Sequence, residues 1–360
     1  MAAFADRDDL VYKWFRVFKE NNEYSDRTLH GYIHDFIKYV RVCDESKIPP
    51  ESEGAVTLWE RHLVEQVRLN GMNVNSARKL ISSIKSILGI SFAESHKWFS
   101  QYSIFRSEIK PTKAYSDNEL SKLLKVFHAL FNQLYTQIMD NKDFYLKSSA
   151  TCKTTSFSFN GHSIPIASAV TKCFCAAYYL LSYFTLSNST TLLKMVKVDK
   201  RDVGGSVLFE QSVLKPRANK YVSICIGDNG TFHVPKYALR FFERLLKLSS
   251  AISPGKHLLY QVKNNIASPL EVNHPAYFSK WFQSTFNIRD EHGKLLTPTT
   301  RKFRASGSFR FLMCTGSEID TSILLGNTPQ VLKRHYTTGN ESENNQQLLA
   351  TALTLQNAVK

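Results

Sequence analysis

Residues 300–336 read TRKFRASGSFRFLMCTGSEIDTSILLGNTPQVLKRHY, from Thr300 to Tyr336, and the rest of the chain is organised around them. Arg301, Lys302, Arg304 and Arg310 open the stretch. An apolar run, Phe309 to Cys314, leads into a turn at Thr315-Gly316. A second apolar patch, Ile323-Leu324-Leu325, stops at Gly326-Asn327, and Tyr336, beside His335, comes nine residues after Asn327. The spacing predicts a cationic cluster and one tyrosine beside a histidine, carried on one short helical segment. That pattern suits chemistry on a phosphate: cations stabilise the charge that spreads over its oxygens, and a phenol can attack.

The composition around this stretch narrows the classes of function. The chain has 360 residues, enough for two domains with ordinary cores, and its 43% hydrophobic content lets it fold. A net charge of +15 and a pI of about 9.4 point to a polyanionic partner. The charge is uneven: residues 1–110 carry +1 and residues 111–360 carry +14, so the second part is the expected phosphate binder. The six cysteines show no paired CxxC spacing and no histidine at zinc-finger distance, which predicts reduced thiols, no structural zinc and a cytoplasmic protein. The N-terminus, MAAFADRDDL, is acidic and lacks the apolar core of a signal peptide. The longest apolar run, Cys173 to Phe184, is too short to span a bilayer, so no membrane association is expected.

Periodicity predicts a chain that is mainly α with a small antiparallel β-sheet. Residues 1–110 read as a small all-helical domain. Leu10, Val11, Trp14, Phe15 and Phe18 recur at helical spacing, Ser25 caps a second helix, and a third covers Ala55 to Leu69. A fourth runs from Val74 to Leu88, with Gly89 as its stop. Arg78, Lys79 and Lys85 lie off its apolar face, where a solvated surface and nucleic-acid contact are equally open readings. The polar stretch SEIKPTKA (107–114) is the linker to the second domain, 111–360. There Ser116 to Glu119 forms a capping box. Residues 147–166 read as a loop or hairpin insertion, and a buried helix covers Ala167 to Phe184. Strands follow at Ser206–Phe209, Ser212–Lys215 and Tyr221–Ile226, the last two joined by the turn Pro216–Lys220. Helices return at Lys236–Leu248 and Pro275–Phe286.

A helical domain, a linker, then a helix, a three-stranded sheet, more helices and a terminal Arg-cluster-to-Tyr segment resembles the tyrosine recombinase (phage integrase) family. The family's His-x-x-Arg motif is matched by Arg301-Lys-Phe-Arg304. Its Leu-Gly-His, followed nine residues later by the tyrosine, is matched by Leu325-Gly326-Asn327 and Tyr336. Its hairpin lysine is matched by Lys215, with Lys220 as the competing choice. The resemblance implies an N-terminal core-binding, SAM-like domain that clamps DNA and a C-terminal tyrosine-recombinase catalytic domain. It implies cofactor-free site-specific recombination or integration: Tyr336 forms a 3′-phosphotyrosyl link, Arg304 holds the phosphate oxygens, and Lys215 protonates the leaving oxygen. Arg301 and Asn327 would complete the site. Arg217, Lys302, Lys333 and Arg334 would contact the DNA backbone, along with Arg78, Lys79 and Lys85. The implied partners are double-stranded DNA, a homo-tetramer assembled on it, and a sister recombinase or directionality factor; the implied source is a mobile genetic element.

The sequence departs from the family at one position. The family's first catalytic arginine falls on Asn188, and no arginine occurs anywhere between Arg106 and Arg201. Asn188 can donate a hydrogen bond but carries no charge, and one lost transition-state donor costs on the order of 10²–10³ in rate. Lys172, Lys194, Lys197 and Arg301 are the candidates to compensate. The alternative reading is a catalytically impaired, recombinase-like DNA-binding accessory protein. A nicking and closing enzyme of topoisomerase type would share the chemistry without the two-site assembly. The tail, Asn344 to Lys360, is weakly amphipathic and reads either as a helix on its own domain or as a segment docking on a neighbouring protomer.

Overall fold

The computed structural model describes residues 3–20, 24–100, 111–147, 153–199, 201–203, 206–215, 220–227 and 236–335. The chain divides into two compact units, Met1–Lys110 and Pro111–Lys360.

The first unit is helical. It comprises α1 (Ala3–Glu20), α2 (Asp26–Glu45), α3 (Glu53–Arg68), α4 (Val74–Ser91) and a 3-10 turn at Ser95–Lys97. Ser25, Ser52 and Asn73 each accept a hydrogen bond from a backbone N–H at the start of the following helix, at 3.4, 3.2 and 2.8 Å. The apolar faces meet in a core of Trp14, Phe18, Phe36, Tyr39, Trp59, Leu63, Ile84 and Ile87. Removing each such side chain from water contributes roughly 1.5–3 kcal/mol. Gly89, the predicted stop of α4, does not end it; the helix continues to Ser91. Gly89 sits on the exposed face, with nothing within 4 Å of where a Cβ would stand. Ile87, Leu88 and Ile90 are packed on the core, which outweighs glycine's cost of about 1 kcal/mol in a helix.

The second unit is built around one buried helix. It opens with α5 (Asp117–Asp140), started by the capping box in which Ser116 and Glu119 exchange side-chain bonds, and α6 (Lys142–Leu146). The 147–166 insertion contains a hairpin, β1 (Lys153–Phe159) and β2 (His162–Ala167), turning at Asn160-Gly161, both at positive φ. Next comes α7 (Ala169–Thr185), with nearly every side chain buried. A helix apolar on all sides can only be satisfied at the centre of a domain, and α5 and α11 (Thr300–Thr315) both pack on it.

After α8 (Ser189–Leu193), a three-stranded antiparallel sheet has the order β3 (Arg201–Val203), β4 (Ser206–Lys215), β5 (Lys220–Gly227). The two predicted strands Ser206–Phe209 and Ser212–Lys215 are thus one. The polar pair between them is accommodated because Gln211 is buried and accepts from Val196 N at 3.0 Å. There follow α9 (Lys236–Ile252), the hairpin β6 (Tyr260–Lys263) and β7 (Ile266–Pro269), and α10 (Asn273–Phe286). The 300–336 stretch is not one helical segment. It forms α11, α12 (Glu318–Leu325) and α13 (Pro329–His335). Gly316 and Gly326 end α11 and α12 at φ 64° and 58°, a left-handed conformation that glycine adopts without steric cost. Among the described residues no helix is long and apolar enough to cross a membrane.

Candidate functional site

The site grows out of the end of α7. Leu186 follows that helix in the left-handed region at φ 50°, which turns the chain sharply. Asn188 then becomes the N-cap of α8, its Oδ1 accepting from Thr191 N at 2.9 Å. This short segment is held to α11 on both sides of Asn188. On one side, Leu186 lies against Gly307: a Cβ at 307 would fall 2.3 Å from Leu186 Cδ2 and 3.2 Å from the Tyr183 carbonyl oxygen. On the other side, the buried Tyr178 phenol lies beside the hydroxyls of Ser189 and Thr300. Burial raises its pKa, and these two hydroxyls pull it down. Ser182 Oγ also donates to the Thr300 carbonyl at 3.3 Å. Arg301 and Arg304 therefore lie between the two anchor points on α11, as Asn188 lies between them on its loop.

Arg304 is 5% exposed, and its Nη2 donates to the Leu325 carbonyl at 2.6 Å. A buried cation is costly unless paired. The C-terminus of α12 is a favourable place for it, because helix carbonyls there carry partial negative charge. The same turn is closed by two backbone bonds, Gly326 N to Ile323 O and Asn327 N to Ser322 O, both 2.9 Å. This paired arrangement satisfies the last carbonyls of α12 and requires the left-handed Gly326. Asn327 is thereby fixed half-buried next to the arginine's carbonyl partner. Thr328 Oγ1 accepts from Val331 N at 3.4 Å to start α13. Leu332 then docks with Leu186 and Leu325 in a small cluster of its own, with Leu324 at its edge. Arg304 is thus joined to Leu325-Gly326-Asn327 by a hydrogen bond, and the segment that holds Asn188 is packed on α11, the helix that carries Arg301 and Arg304.

Tyr336 comes directly after α13 and lies outside the described residues, as does Arg217. Lys215 ends β4, in register with Lys220 of β5. Arg334 is on the last turn of α13. Lys302 sits 5.0 Å over the Tyr115 ring, and Lys333 pairs with Glu318 at 3.2 Å. In the first unit Arg78 is exposed, Lys79 pairs with the buried Asp35 at 3.2 Å, and Lys85 lies 5.8 Å from the Phe99 ring. Two of the candidate compensating lysines are committed elsewhere. Lys172 Nζ donates to Ala167 O at 2.6 Å over the Trp281 ring, and Lys197 Nζ donates to Ser253 O at 2.7 Å. Burial lowers the pKa of Lys172.

Sequence reading missed three residues that build this geometry: Tyr178, Gly307 and Leu332. Only Gly307 carried a usable signal. It sits in Ala305-Ser-Gly-Ser308, a run of small residues mid-helix, where a glycine usually has a packing reason.

No protein-family model matches the chain, and no curated protein matches it by sequence. Solved structures do match. The Tn1549 transposon integrase in complex with circular intermediate DNA aligns with a TM-score of 0.54 at 10% identity, covering 94% of this chain and 98% of that one. The fold is that of the tyrosine recombinases. A lambda integrase dimer bound to a COC′ core site aligns with a TM-score of 0.51 at 15% identity, covering 92% and 96% of the two chains. The XerH site-specific recombinase bound to its difH substrate aligns with a TM-score of 0.50 at 13% identity, covering 88% and 77%. The tyrosine-recombinase fold thus extends over most of the chain.

Proposed function

We propose that this chain is a site-specific DNA recombinase that cuts and rejoins strands through Tyr336. The observation that carries the reading is the junction of Arg304 with the Leu325-Gly326-Asn327 turn, which sets the start of α13, the helix that precedes Tyr336 in the sequence. The three solved structures named above are recombinases or integrases bound to DNA. The +14 charge of residues 111–360 fits a duplex partner whose affinity falls steeply with salt.

In the proposed step the Tyr336 oxygen attacks a backbone phosphorus and the bond from phosphorus to the 5′ oxygen breaks. The phenol's proton leaves to solvent, and Lys215 protonates the departing 5′ oxygen. Arg304 neutralises charge on the non-bridging oxygens, having exchanged the Leu325 carbonyl for phosphate. Attack by a 5′-hydroxyl on the tyrosyl link, with release of Tyr336, reseals the strand. The link conserves the bond energy, so no nucleotide hydrolysis is needed. On this reading residues 1–110 clamp the DNA through Arg78, Lys79 and Lys85, four protomers assemble on two sites, and the chain serves a mobile element with or without a sister recombinase.

A second reading, an accessory DNA-binding protein without cleavage, is favoured by Asn188, a neutral residue already occupied as a helix cap. One experiment separates the two. The protein is incubated with a nicked duplex carrying a site it has selected from random-sequence DNA, and the products are run on a denaturing gel. An adduct with wild type and none with Tyr336→Phe supports cleavage. Tight binding without an adduct supports the accessory role.

A further inference from the structure

We propose that Arg301 supplies the second guanidinium of the phosphate site, so that the cationic pair comes from one helix, Arg301 and Arg304 of α11, and Asn188 serves as a neutral neighbour. This rests on the strand-transfer reading above and specifies how its charge is provided. The chain has no arginine between Arg106 and Arg201, so the loop after α7 cannot supply one. Lys172 and Lys197 are bonded to the carbonyls of Ala167 and Ser253. Lys194 is exposed at the C-terminal end of α8, the end opposite Asn188.

Arg301 differs from all three. It is exposed, and it precedes Arg304 by three residues, which places both on one face of α11. The Asn188 segment is fixed against this same part of the helix. Ser189 is tied to it through Tyr178 and Thr300, and Leu186 is seated on Gly307. Asn188 spends its Oδ1 on the cap of α8, which leaves its amide N–H groups as neutral donors on the segment packed against this helix. The cation missing from the loop is thus present one element away, on the helix against which that loop is pinned.

The test compares two nicked duplexes carrying the selected site, one with an ordinary phosphodiester at the scissile position and one with a methylphosphonate, which has no negative charge to neutralise. Adduct formation is timed for wild type, Arg301→Gln, Arg301→Lys, Lys194→Gln and Tyr336→Phe. On the phosphodiester, Arg301→Gln should be slower than wild type by on the order of 10²–10³, with Arg301→Lys in between. On the methylphosphonate, Arg301→Gln should react at the wild-type rate, which a structural or DNA-positioning role would not produce. The proposal is overturned if Arg301→Gln cuts the phosphodiester normally, if its defect persists on the methylphosphonate, or if Lys194→Gln shows the charge-dependent defect instead. Wild type giving no adduct on either substrate overturns the strand-transfer reading and this proposal together. Loss of the phosphodiester adduct in Tyr336→Phe alone, with Arg301→Gln unaffected, overturns only this one.

Discussion

Leu186 Cδ2 lies where the side chain of residue 307 would begin: a Cβ added to Gly307 would stand 2.3 Å from it. Alanine at 307 would gain about 1 kcal/mol in helix propensity, but overpacking at such a contact costs about 1–3 kcal/mol. Gly307→Ala should therefore be net destabilising and push Leu186, and with it Asn188, away from α11. Thermal unfolding should show a lowered midpoint. Adding Leu186→Ala should recover part of the loss, because the two changes share one contact and will not add.

Asn188 has a structural task that can be separated from any electrostatic one. Asn188→Ala removes the cap of α8 and should cost about 0.5–2 kcal/mol in denaturant unfolding. Asn188→Asp keeps a capping oxygen and should unfold like wild type. It also places a carboxylate on the segment packed against the helix of Arg301 and Arg304, so its DNA affinity should fall below that of both wild type and Asn188→Ala in a binding titration.

Leu332 belongs to a cluster with Leu186 and Leu325 that is separate from the main core. Truncation to alanine removes contacts worth about 2–5 kcal/mol at a well-packed site. Because the cluster is local, Leu332→Ala should release α13 without unfolding the unit. Hydrogen exchange should show lost protection in residues 329–335 while the thermal midpoint stays close to that of wild type.

The fold was legible where local signals and tertiary packing agree. The Ser116–Glu119 box, the apolar α7 and the glycines after α11 and α12 all act within a few residues. Gly89 misled because its exposed position costs little and Ile90 continues the core. The hairpin β6–β7 escaped because its turn, Asn264-Asn265, lacks a glycine, although both residues adopt positive φ, 51° and 64°. Motif spacing made the Leu325-Gly326-Asn327 turn readable and put Arg301 and Arg304 on a helix ahead of it. The occupation of Arg304 by the Leu325 carbonyl was not, since it links residues 21 positions apart through packing that no local pattern encodes. The same holds for the use of Lys172 and Lys197 on distant carbonyls.

His128 is half-buried beside the Phe184 and Phe241 rings, and burial lowers its pKa below the usual 6.5. As pH falls through about 6.5, the unfolded chain takes up a proton at this residue and the folded chain does not. Stability should therefore decline as pH drops below that value, over the window down to the folded-state pKa. His128→Leu should flatten this part of the stability–pH curve, measured by denaturant unfolding at a series of pH values.

On the proposed reading Tyr336 is the nucleophile. The most direct measurement is peptide mass spectrometry of the protein after reaction with the nicked duplex carrying its selected site, followed by nuclease and protease digestion. The expected result is a 3′-nucleotide phosphate on the peptide containing Tyr336, at that residue, and none in Tyr336→Phe. A wild-type protein that binds the site and carries no such modification, or carries it on another residue, would contradict the claim.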